Sequence, residues 1–337
     1  MDWKNRKVLV TGGTSFIGSH LVDALVQRGA KVRVVDDLSS GKLENIRGIE
    51  GGQLEFINAD LRESGVAEAA IDDMSVVFHL AADHGGRGYV DLHQAACSTN
   101  LLLDGLIFRA CHRGQVEKVV YASSGCVYPN GLQTDPSQTV YLTEEMVGPP
   151  YDADNMYGWA KLMGEMTLRA YYKDWGMKSA CCRYFTVYGP RGVENHAVIA
   201  MIARAHTRQD PFVVWGNGEQ IRNWTYIDDI VEGTILAAER VDDGSGINLG
   251  TMERIRVLDA VHQIVDAFQY EPKIEAHPEM PTGPLNRVAD NTLAKQRLGW
   301  EPKVKFVDGL RRTIDWYVSS RSEDDAAMAL DRLLIER

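Results

Sequence analysis

The sequence has 337 residues, of which 45% are hydrophobic and 25% are charged. This composition excludes a disordered or fibrous chain, and the length predicts about two domains. The 36 Lys and Arg residues and 47 Asp and Glu residues give a net charge of −11, which argues against a nucleic-acid partner because phosphate backbones require a basic surface. No apolar run approaches the roughly 18 residues of a membrane span.

The cysteines do not have the spacing of a metal site or of a disulfide framework. They are Cys97, Cys111, Cys126, Cys181 and Cys182. Because this sparse, odd set contains no Cys-x-x-Cys pair and no Cys/His cluster, we expect reduced thiols and no metal ion. A strand-like run begins at Val8 and leaves no room for a signal peptide. These features predict a soluble, cytoplasmic protein with no membrane or nucleic-acid partner.

The first half of the chain alternates short β-branched runs with helical stretches. Strands are predicted at residues 8–11, 32–36, 54–58, 76–81 and 119–123, and helices at residues 17–28 and 94–113. Strands separated by helices are typical of βαβ units. The pattern predicts an α/β fold with a Rossmann-type doubly wound parallel sheet.

The rhythm changes after about residue 180, where prolines separate short elements such as the predicted strand at residues 212–215. This change predicts a smaller mixed α/β C-terminal substrate-binding domain. We expect a dinucleotide-binding domain at residues 1–180, to which residues from about 215–250 return, and a substrate domain mainly at residues 181–320. Residues 321–337 are predicted to include a tail helix.

A glycine-rich turn follows the first predicted strand. Such a turn points backbone amides and a helix N-terminus at a pyrophosphate. Gly12 allows the tight turn and Gly18 lets helix and strand pack closely, while Ser15 stands where a glycine is usual. Asp36 ends the second strand about 18 residues later, the spacing at which a carboxylate binds the ribose hydroxyls. The pattern predicts NAD rather than NADP, because a carboxylate repels a 2′-phosphate.

Tyr157 and Lys161 are separated by one helical turn. Their spacing places both side chains on one face of a helix. A nearby ammonium and a positive nicotinamide favour the phenolate, which predicts a tyrosine pKa lowered toward working pH. Together with the glycine-rich turn and Ser124 near a strand end, the pair predicts acid–base chemistry beside a nicotinamide.

In this order, the motifs resemble the extended short-chain dehydrogenases/reductases of the nucleotide-sugar epimerase and dehydratase group. The resemblance covers roughly residues 6–318. The motifs that carry it lie at residues 10–13, 79–83, 100, 123–124, 157, 161, 183–190, 215–218, 226–229 and 248–250. It implies a nucleotide-diphosphate-sugar substrate, a retained NAD+ and a homodimer formed through helices near residues 94–113 and 157–173. The cofactor-binding residues are expected to be Gly12, Ser15, Phe16, Ile17, Gly18, Asp36, Asp60, Leu61, Ala81, Ala82, Asn100, Tyr157 and Lys161.

The resemblance also implies roles in catalysis. Ser124 is expected to bind the sugar 4-hydroxyl, Tyr157 to remove its proton while C4 gives a hydride to NAD+, and Lys161 to hold the nicotinamide ribose. The resulting 4-keto sugar is the common intermediate of the group. The Asp-Glu pair of the 4,6-dehydratases is replaced here by Gly125 and Cys126, which disfavours elimination of water by that route.

The nearest resemblance is to the GDP-mannose 3,5-epimerases. That family has a cysteine at the position of Cys126 and a glycine-rich sugar-binding loop like residues 83–89. The implied role of Cys126 is a carbon acid/base at C5 or C3, since a thiol pKa can be moved near 7 by neighbouring charge. Where that family has a lysine, this chain has His196, which is the expected partner of Cys126.

An alternative remains open, because the run containing Thr186 resembles the uronic-acid 4-epimerases, which invert C4 by hydride transfer alone. A dehydratase and a non-catalytic NAD-binding sensor are weaker alternatives. Arg222 and Arg287 resemble a diphosphate clamp, which forked guanidinium donors suit. The expected substrate-binding residues are Gly85, Gly86, Arg87, Gly88, Thr186, Arg191, Asn195, Arg222 and Arg287.

Overall fold

The strands of the computed structural model, which describes residues 1–48 and 52–335, follow the predicted order in the first half. They are β1 Lys7–Thr11, β2 Lys31–Asp36, β3 Leu54–Asn58, β4 Val76–His79, β5 Lys118–Ser124, β6 Ser179–Tyr184, β7 Val187–Tyr188, β8 Phe212–Trp215, β9 Ile221–Arg222, β10 Thr225–Tyr226, β11 Asp243–Leu249, β12 Ile255–Arg256, β13 Ile274–His277 and β14 Asn286–Arg287.

Helices occupy most of the connections. They are α1 Phe16–Gln27, α2 Val66–Ile71, α3 Arg87–Leu92, α4 Gln94–Ser98, α5 Asn100–Arg113, α6 Asn155–Trp175, α7 Ala197–His206, α8 Ile227–Arg240, α9 Val257–Ala267, α10 Thr292–Leu298, α11 Phe306–Ser320 and α12 Glu323–Ile335. None of these helices, within the described ranges, is long and apolar enough to cross a membrane.

A parallel sheet forms the centre of the N-terminal half. In the described part of the chain its seven strands run in the order β3-β2-β1-β4-β5-β6-β11, and every neighbouring pair is parallel. Strands buried on both faces read as continuous apolar runs, as β4 does. The predicted Rossmann-type sheet is confirmed.

Helices cover both faces of this sheet. Alternate side chains of a strand point to opposite faces, so Val10 packs in a core with Leu21 of α1 and Ile230 of α8. Leu9 faces the other side, in a core with Ile107 of α5. The sheet is therefore wound on both sides, with its carboxyl edge left for ligands.

The C-terminal half contributes small sheets of mixed direction. Strand β8 pairs with β13 in parallel, and β9 pairs antiparallel with β12 and parallel with β14. The predicted mixed α/β region is confirmed. The expected domain boundary between residues 180 and 181 falls inside strand β6, but the whole of this strand pairs in the central sheet. Strand β11 returns to the same sheet from within the expected 215–250 segment.

Two predicted element boundaries are wrong for local reasons. Strand β4 ends at His79 and not at residue 81, because the backbone N–H groups of Leu80 and Ala81 both donate to Thr11 Oγ1. The stretch at residues 94–113 is two helices, interrupted at Thr99. The Thr99 hydroxyl donates to the backbone oxygen of residue 96 at 2.7 Å, a contact that competes with helical bonding.

Candidate active site

The glycine-rich turn forms a close-fitting cradle between β1 and α1. A Cβ on Gly12, whose φ is +69°, would lie 2.9 Å from the backbone nitrogen of Ala81. A Cβ on Gly18 would lie 2.2 Å from the oxygen of Gly12. Ser15 begins α1 without a side-chain cap, and the first turn carries no acidic residue. The N-terminal amides of α1 are therefore available to a phosphate.

Asp36 lies beside this turn. Its Oδ2 accepts a hydrogen bond from the backbone nitrogen of Thr14 at 3.0 Å, and its Oδ1 accepts one from that of Leu38 at 2.9 Å. The Thr14 hydroxyl is buried without a partner among the described residues. A Cβ on Gly41 would lie 1.9 Å from that hydroxyl. This arrangement suits an adenosine ribose, whose hydroxyls would reach the carboxylate.

Two of the expected cofactor residues have other partners within the protein. The carboxylate of Asp60 pairs with Arg62 at 2.8 Å, and this hydrogen-bonded pair lowers the pKa of Asp60. Asn100 accepts from the backbone nitrogen of Asp83 at 2.7 Å and donates to its oxygen at 2.9 Å. Asn100 thus fixes the loop that follows β4, which contains Ala82, while Leu61 is buried.

Tyr157 and Lys161 lie together near the start of α6. The Lys161 Nζ is 5.8 Å from the centroid of the Tyr157 ring and 4.7 Å from that of the Tyr121 ring. Burial raises the pKa of Tyr157, the charge of Cys126 adds to this effect, and a hydrogen bond with Ser124 opposes it. Burial also lowers the pKa of Lys161. The protein groups alone therefore do not produce the predicted lowering of the tyrosine pKa, because desolvation is the largest effect.

Ser124 is held close to this helix by the turn that it begins. Its Oγ accepts a hydrogen bond from the backbone nitrogen of Cys126 at 3.1 Å, which caps a 3₁₀ turn at Gly125–Val127. The turn packs directly on α6, since a Cβ on Gly158 would lie 2.3 Å from the oxygen of Cys126. This close contact brings Ser124, Cys126 and Tyr157 to one place.

Cys126 contacts an arginine that is anchored by a buried carboxylate. Arg287 Nη1 lies 3.2 Å from Cys126 Sγ, and its Nη2 donates to Asp154 Oδ2 at 2.9 Å. The same carboxylate oxygen accepts from Arg87 Nη1 at 2.7 Å. Burial acts to raise the pKa of Asp154, but Arg287 and Arg87 outweigh it and hold this pKa below its usual value.

Asp154 and Gln133 are site residues that the sequence interpretation missed. Gln133 Oε1 accepts from Arg287 Nε at 2.7 Å and so fixes the third side of the guanidinium. Asp154 precedes the first residue of α6 and stands three positions before Tyr157. A carboxylate at a helix N-terminus is a common capping residue, so its position in the sequence gave no separate signal of a functional role.

Arg222 lies near the same group. It donates to the backbone oxygens of Ile221 and Thr282 at 2.8 and 2.7 Å. Burial, followed by the positive charges of Arg287 and Arg87, lowers the pKa of Arg222 to about 9. A cavity of about 360 Å³ opens here, lined in part by Arg87, Gln133, Asp154 and Gly283. Arg87, Arg222 and Arg287 form an arginine cluster, which provides forked donors for phosphate or sugar oxygens.

The loop expected to hold the sugar contacts two other segments. A Cβ on Gly86 would lie 2.0 Å from the backbone oxygen of Asn195, and one on Gly85 would lie 2.6 Å from the Tyr89 side chain. A Cβ on Gly88 would lie 3.8 Å from the Trp215 ring. Glycines are required for the first two approaches, which place the loop against Asn195.

His196 belongs to a different group from Cys126. Its ring stacks with that of His84 at 6.4 Å between centroids and lies 6.2 Å from that of Phe16. Burial and the His84 charge lower the pKa of His196 to about 4. None of its contacts in the described chain reaches Cys126. The structure therefore does not show the expected Cys126/His196 pair, because His196 lies against Phe16 at the end of the glycine-rich turn of residues 12–18, here called the cofactor turn.

Two other expected substrate residues have partners within the protein. Arg191 forms an ion pair with Asp23 of α1 at 2.8 Å. Thr186 lies between β6 and β7, and its backbone oxygen accepts from the nitrogen of Thr225 at 2.8 Å. Ile17, one of the expected cofactor residues, is part of α1 and packs against the core. Within residues 1–48 and 52–335, no group of three or more acidic, His or Cys side chains is arranged to hold a metal ion.

Comparison with known proteins relates this arrangement to a family. The model of the NAD dependent epimerase/dehydratase family matches residues 8–250. GDP-mannose 3,5-epimerase 1 of Oryza sativa subsp. indica is 30% identical over 336 residues, which cover 98% of this chain and 86% of that protein.

Two solved structures share the fold. UDP-glucose 4-epimerase with UDP-glucose, from Thermotoga maritima, has a TM-score of 0.83 at 29% identity and covers 93% of this chain and 99% of its own. UDP-glucuronic acid 4-epimerase from Bacillus cereus, in complex with UDP-glucuronic acid and NAD, has a TM-score of 0.82 at 28% identity, over 92% and 98% of the two chains. The resemblance found in the sequence and the prediction of NAD as cofactor are confirmed.

Proposed function

This chain belongs to the NAD-dependent epimerase/dehydratase family, and we propose that it is a nucleotide-diphosphate-sugar epimerase acting through a transient 4-keto sugar. We propose further that Cys126 moves a proton at C5 or C3 of that intermediate, in the manner of a GDP-mannose 3,5-epimerase. The contact between Arg287 and Cys126 is the observation that carries this choice.

The residues present fit NAD. The amides of the Gly12–Gly18 turn and the N-terminus of α1 would hold the pyrophosphate, and Asp36 would accept from the adenosine ribose. The absence of side chains at Gly12 and Gly18 permits the close backbone approach. Bound NAD+ supplies the hydride acceptor for C4 and afterwards the hydride donor that returns it.

Tyr157 is proposed as the base that takes the proton of the sugar 4-hydroxyl. Ser124 would orient that hydroxyl, and its hydrogen bond with Tyr157 favours the ionised phenol against the effect of burial. Lys161 lies close enough to stabilise a phenolate through space. When the hydride returns to C4, Tyr157 gives the proton back to the sugar oxygen.

Cys126 is proposed as the second base. A ketone at C4 acidifies the protons at C3 and C5, so a thiolate beside the sugar can remove one of them. A guanidinium 3.2 Å from the sulfur stabilises negative charge there, and Asp154 with Gln133 fixes the guanidinium in place. Inversion of that carbon then needs a proton on the opposite face of the carbanion, which a water molecule would donate, while Cys126 passes the proton that it removed to solvent.

A second candidate is inversion at C4 by hydride transfer alone. The observation in its favour is the position of His196, which stacks on His84 and makes no contact with Cys126. Its pKa, lowered to about 4, leaves the imidazole neutral at pH 7 and poorly suited to donate a proton. Without a partner acid, Cys126 would be a bystander, and Tyr157, Lys161 and NAD would suffice.

Turnover in deuterated water distinguishes the two candidates. The purified protein would be incubated with GDP-mannose, UDP-glucuronate or an ADP-heptose, and the sugar would be followed by mass spectrometry and proton NMR. Deuterium at C5 or C3 supports proton transfer by Cys126. Inversion at C4 without deuterium supports hydride transfer alone and excludes a chemical role for Cys126.

A variant of Cys126 completes this experiment. The Cys126→Ser protein should lose deuterium incorporation while still forming the 4-keto sugar from the same substrate. Cys111→Ser is the matched control, because Cys111 is fully buried in the core that contains Leu9 and Ile107. Equal deuterium incorporation by wild type and Cys126→Ser contradicts the proposed role.

We also propose a homodimer. Helices α5 and α6 expose large apolar side chains, namely Leu101, Leu102, Trp159 and Met163, of which Leu102 is 55% exposed. Contiguous exposed apolar groups on adjacent helices are typical of a protein interface. A second copy presenting the same two helices would cover them in a two-fold arrangement.

A further inference from the structure

A buried chain of hydrogen bonds connects the cofactor turn with the helix that carries Tyr157 and Lys161. Its members are Thr11 at the end of β1, His79 at the end of β4, Asp104 on α5 and Tyr121 on β5. All four are buried, and Asp104 is only 3% exposed. A buried carboxylate is costly unless its partners compensate for the lost hydration, so this one requires an explanation.

The hydrogen-bond pattern fixes the direction of each donor. Thr11 Oγ1 accepts from the backbone nitrogens of Leu80 and Ala81, each at 3.1 Å, so its own proton is directed at His79 Nδ1, 2.8 Å away. The Nδ1 atom of His79 is then an acceptor, and Nε2 is the nitrogen that donates. This nitrogen donates to Asp104 Oδ1 at 3.0 Å.

The other carboxylate oxygen accepts from a tyrosine. Tyr121 OH donates to Asp104 Oδ2. Burial raises the pKa of Tyr121 well above its ordinary value, so the phenol keeps the proton that it donates. Both carboxylate oxygens of Asp104 therefore accept a hydrogen bond, and no lysine or arginine of the described chain is hydrogen-bonded to it. Its negative charge remains available to act on a cation nearby.

Lys161 is that cation. Its Nζ lies 4.7 Å from the centroid of the Tyr121 ring. Tyr121 is the residue whose hydroxyl donates to Asp104. Burial lowers the pKa of Lys161, and the charge of Asp104 acts in the opposite direction. The other titratable groups that face the Lys161 and Tyr157 pair are His84, Cys97 and Cys126.

A glycine on α6 makes this approach possible. A Cβ on Gly164 would lie 2.5 Å from Tyr121 OH and 2.6 Å from its Cζ. Both atoms belong to a side chain that is fully buried and hydrogen-bonded to Asp104. Helix α6 can therefore lie against Tyr121 only with a glycine here, one turn beyond Lys161.

We propose that Asp104 is a positioning residue for Lys161: a buried counter-charge that, acting past the ring of Tyr121, keeps the ammonium charged beside Tyr157. Hydrogen bonds through His79 and Thr11 also connect the Asp104 carboxylate to the cofactor turn. The inference rests on the roles proposed above for Tyr157 and Lys161. It assigns to Asp104 no contact with the sugar or with NAD.

The test follows the protonation of Lys161 directly. NMR of the holoenzyme with ¹³C-labelled lysine, with the Lys161 signal assigned from Lys161→Arg, gives its protonation midpoint. Asp104→Asn keeps the shape and can still bind His79 and Tyr121, but it removes the charge. The expected result is a midpoint lowered by about one pH unit or more, equivalent to about tenfold in the protonation equilibrium. An unchanged midpoint in folded Asp104→Asn overturns the proposal.

Tyr121→Phe is the matched control, because it removes one donor and leaves the carboxylate. It should shift the midpoint by less than half as much as Asp104→Asn. If Asp104→Asn does not fold, the double variant Asp104→Thr/Tyr121→Phe removes the carboxylate and its donor together and should show the full shift. If neither folds, Asp104 serves folding alone and the proposal is rejected.

The readout separates this inference from the proposed function. Because it reports Lys161 and not turnover, a wrong assignment of the sugar leaves the midpoint shift in place. Where turnover is available, the alkaline limb of the kcat profile should move to lower pH with the Lys161 midpoint in Asp104→Asn. A kcat profile that keeps its limbs while only the melting temperature falls indicates a structural role and contradicts the proposal.

Discussion

Arg287 Nη1 lies 3.2 Å from Cys126 Sγ, although the two residues are 161 positions apart in the sequence. The guanidinium comes from the short strand β14, and the thiol from the turn after β5. Asp154 holds the arginine from its other side. A fixed positive charge against the sulfur stabilises a thiolate, and the first prediction depends on this contact.

Removing the Arg287 charge should slow alkylation of Cys126. We expect Arg287→Met to react about tenfold more slowly with iodoacetamide at pH 7, the effect of roughly 1.4 kcal/mol of lost charge stabilisation. Arg287→Lys, which keeps a positive charge, should recover part of the rate. Mass spectrometry locates the label on Cys126, since the other cysteines are buried. Equal rates for Met and Lys at this position contradict a role for the charge.

Replacing Tyr157 by Phe should abolish epimerisation and leave NAD bound. The expected loss of kcat is about 10²- to 10⁴-fold, the usual contribution of a positioned acid–base group. Bound NAD is measured after the protein is denatured, and turnover by NMR of the sugar. Tyr172→Phe, on the exposed end of the same helix, is the control and should retain full activity. Undiminished turnover by Tyr157→Phe would remove the assignment of the base.

Asp154→Asn should weaken substrate binding more than it slows chemistry. The variant releases Arg87 and Arg287 from a shared oxygen, so we expect KM to rise about tenfold while NAD content is unchanged. Asp152→Asn, two residues away and exposed, is the matched control. A kcat loss with KM unaltered contradicts this role.

The same carboxylate predicts a pH dependence of stability. The pKa of Asp154 is lowered in the folded state, so the folded protein binds fewer protons here than the unfolded chain. The stabilisation by the Asp154 carboxylate is fully present above the pKa of an unfolded aspartate, about 3.9, and is lost as the pH falls through the lower pKa of the folded protein. The gap in melting temperature between wild type and Asp154→Asn should therefore narrow below about pH 4. A constant gap from pH 7 to pH 3 contradicts this sign.

His196 should titrate far below an ordinary histidine. Burial and His84 lower its pKa to about 4, whereas the hydrogen bond with Glu279 raises the pKa of His277. Proton NMR should show a protonation midpoint below about 6.5 for His196 and above about 6.5 for His277. Since folded His196 binds fewer protons between about pH 4 and 6.5, its contribution to stability is lost as the pH falls through that range. A His196 midpoint near 6.5 would contradict the burial argument.

A charge on the exposed face of α5 should disrupt the proposed homodimer. Leu102→Asp introduces a charge where the side chain is already exposed, so the folded monomer should be preserved while dissociation increases. Val318→Asp on α11, at a comparably exposed position, is the control and should not change the mass. Sedimentation of the wild type as a monomer would remove the proposal.

The sequence by itself determined the layered fold and the cofactor turn. Apolar runs such as Val76–His79, separated by helical stretches, specify a buried parallel sheet, and a glycine pattern followed by Asp36 specifies a dinucleotide turn. These features depend on neighbours in the chain and on strand periodicity. The Tyr157 and Lys161 pair was predictable for the same reason, because one helical turn places them together.

Only the tertiary structure decided which distant groups meet. Parallel strands joined by crossovers bring Asp104 to His79 and Tyr121, and the return of β14 brings Arg287 to Cys126. Sequence spacing does not encode such contacts, because they depend on how separate helices and strands pack. For the same reason the sequence did not indicate the contact between Arg287 and Cys126, or that His196 packs against His84 and Phe16. Burial, which moves the pKa of Tyr157 upward, is likewise a property of the packed molecule.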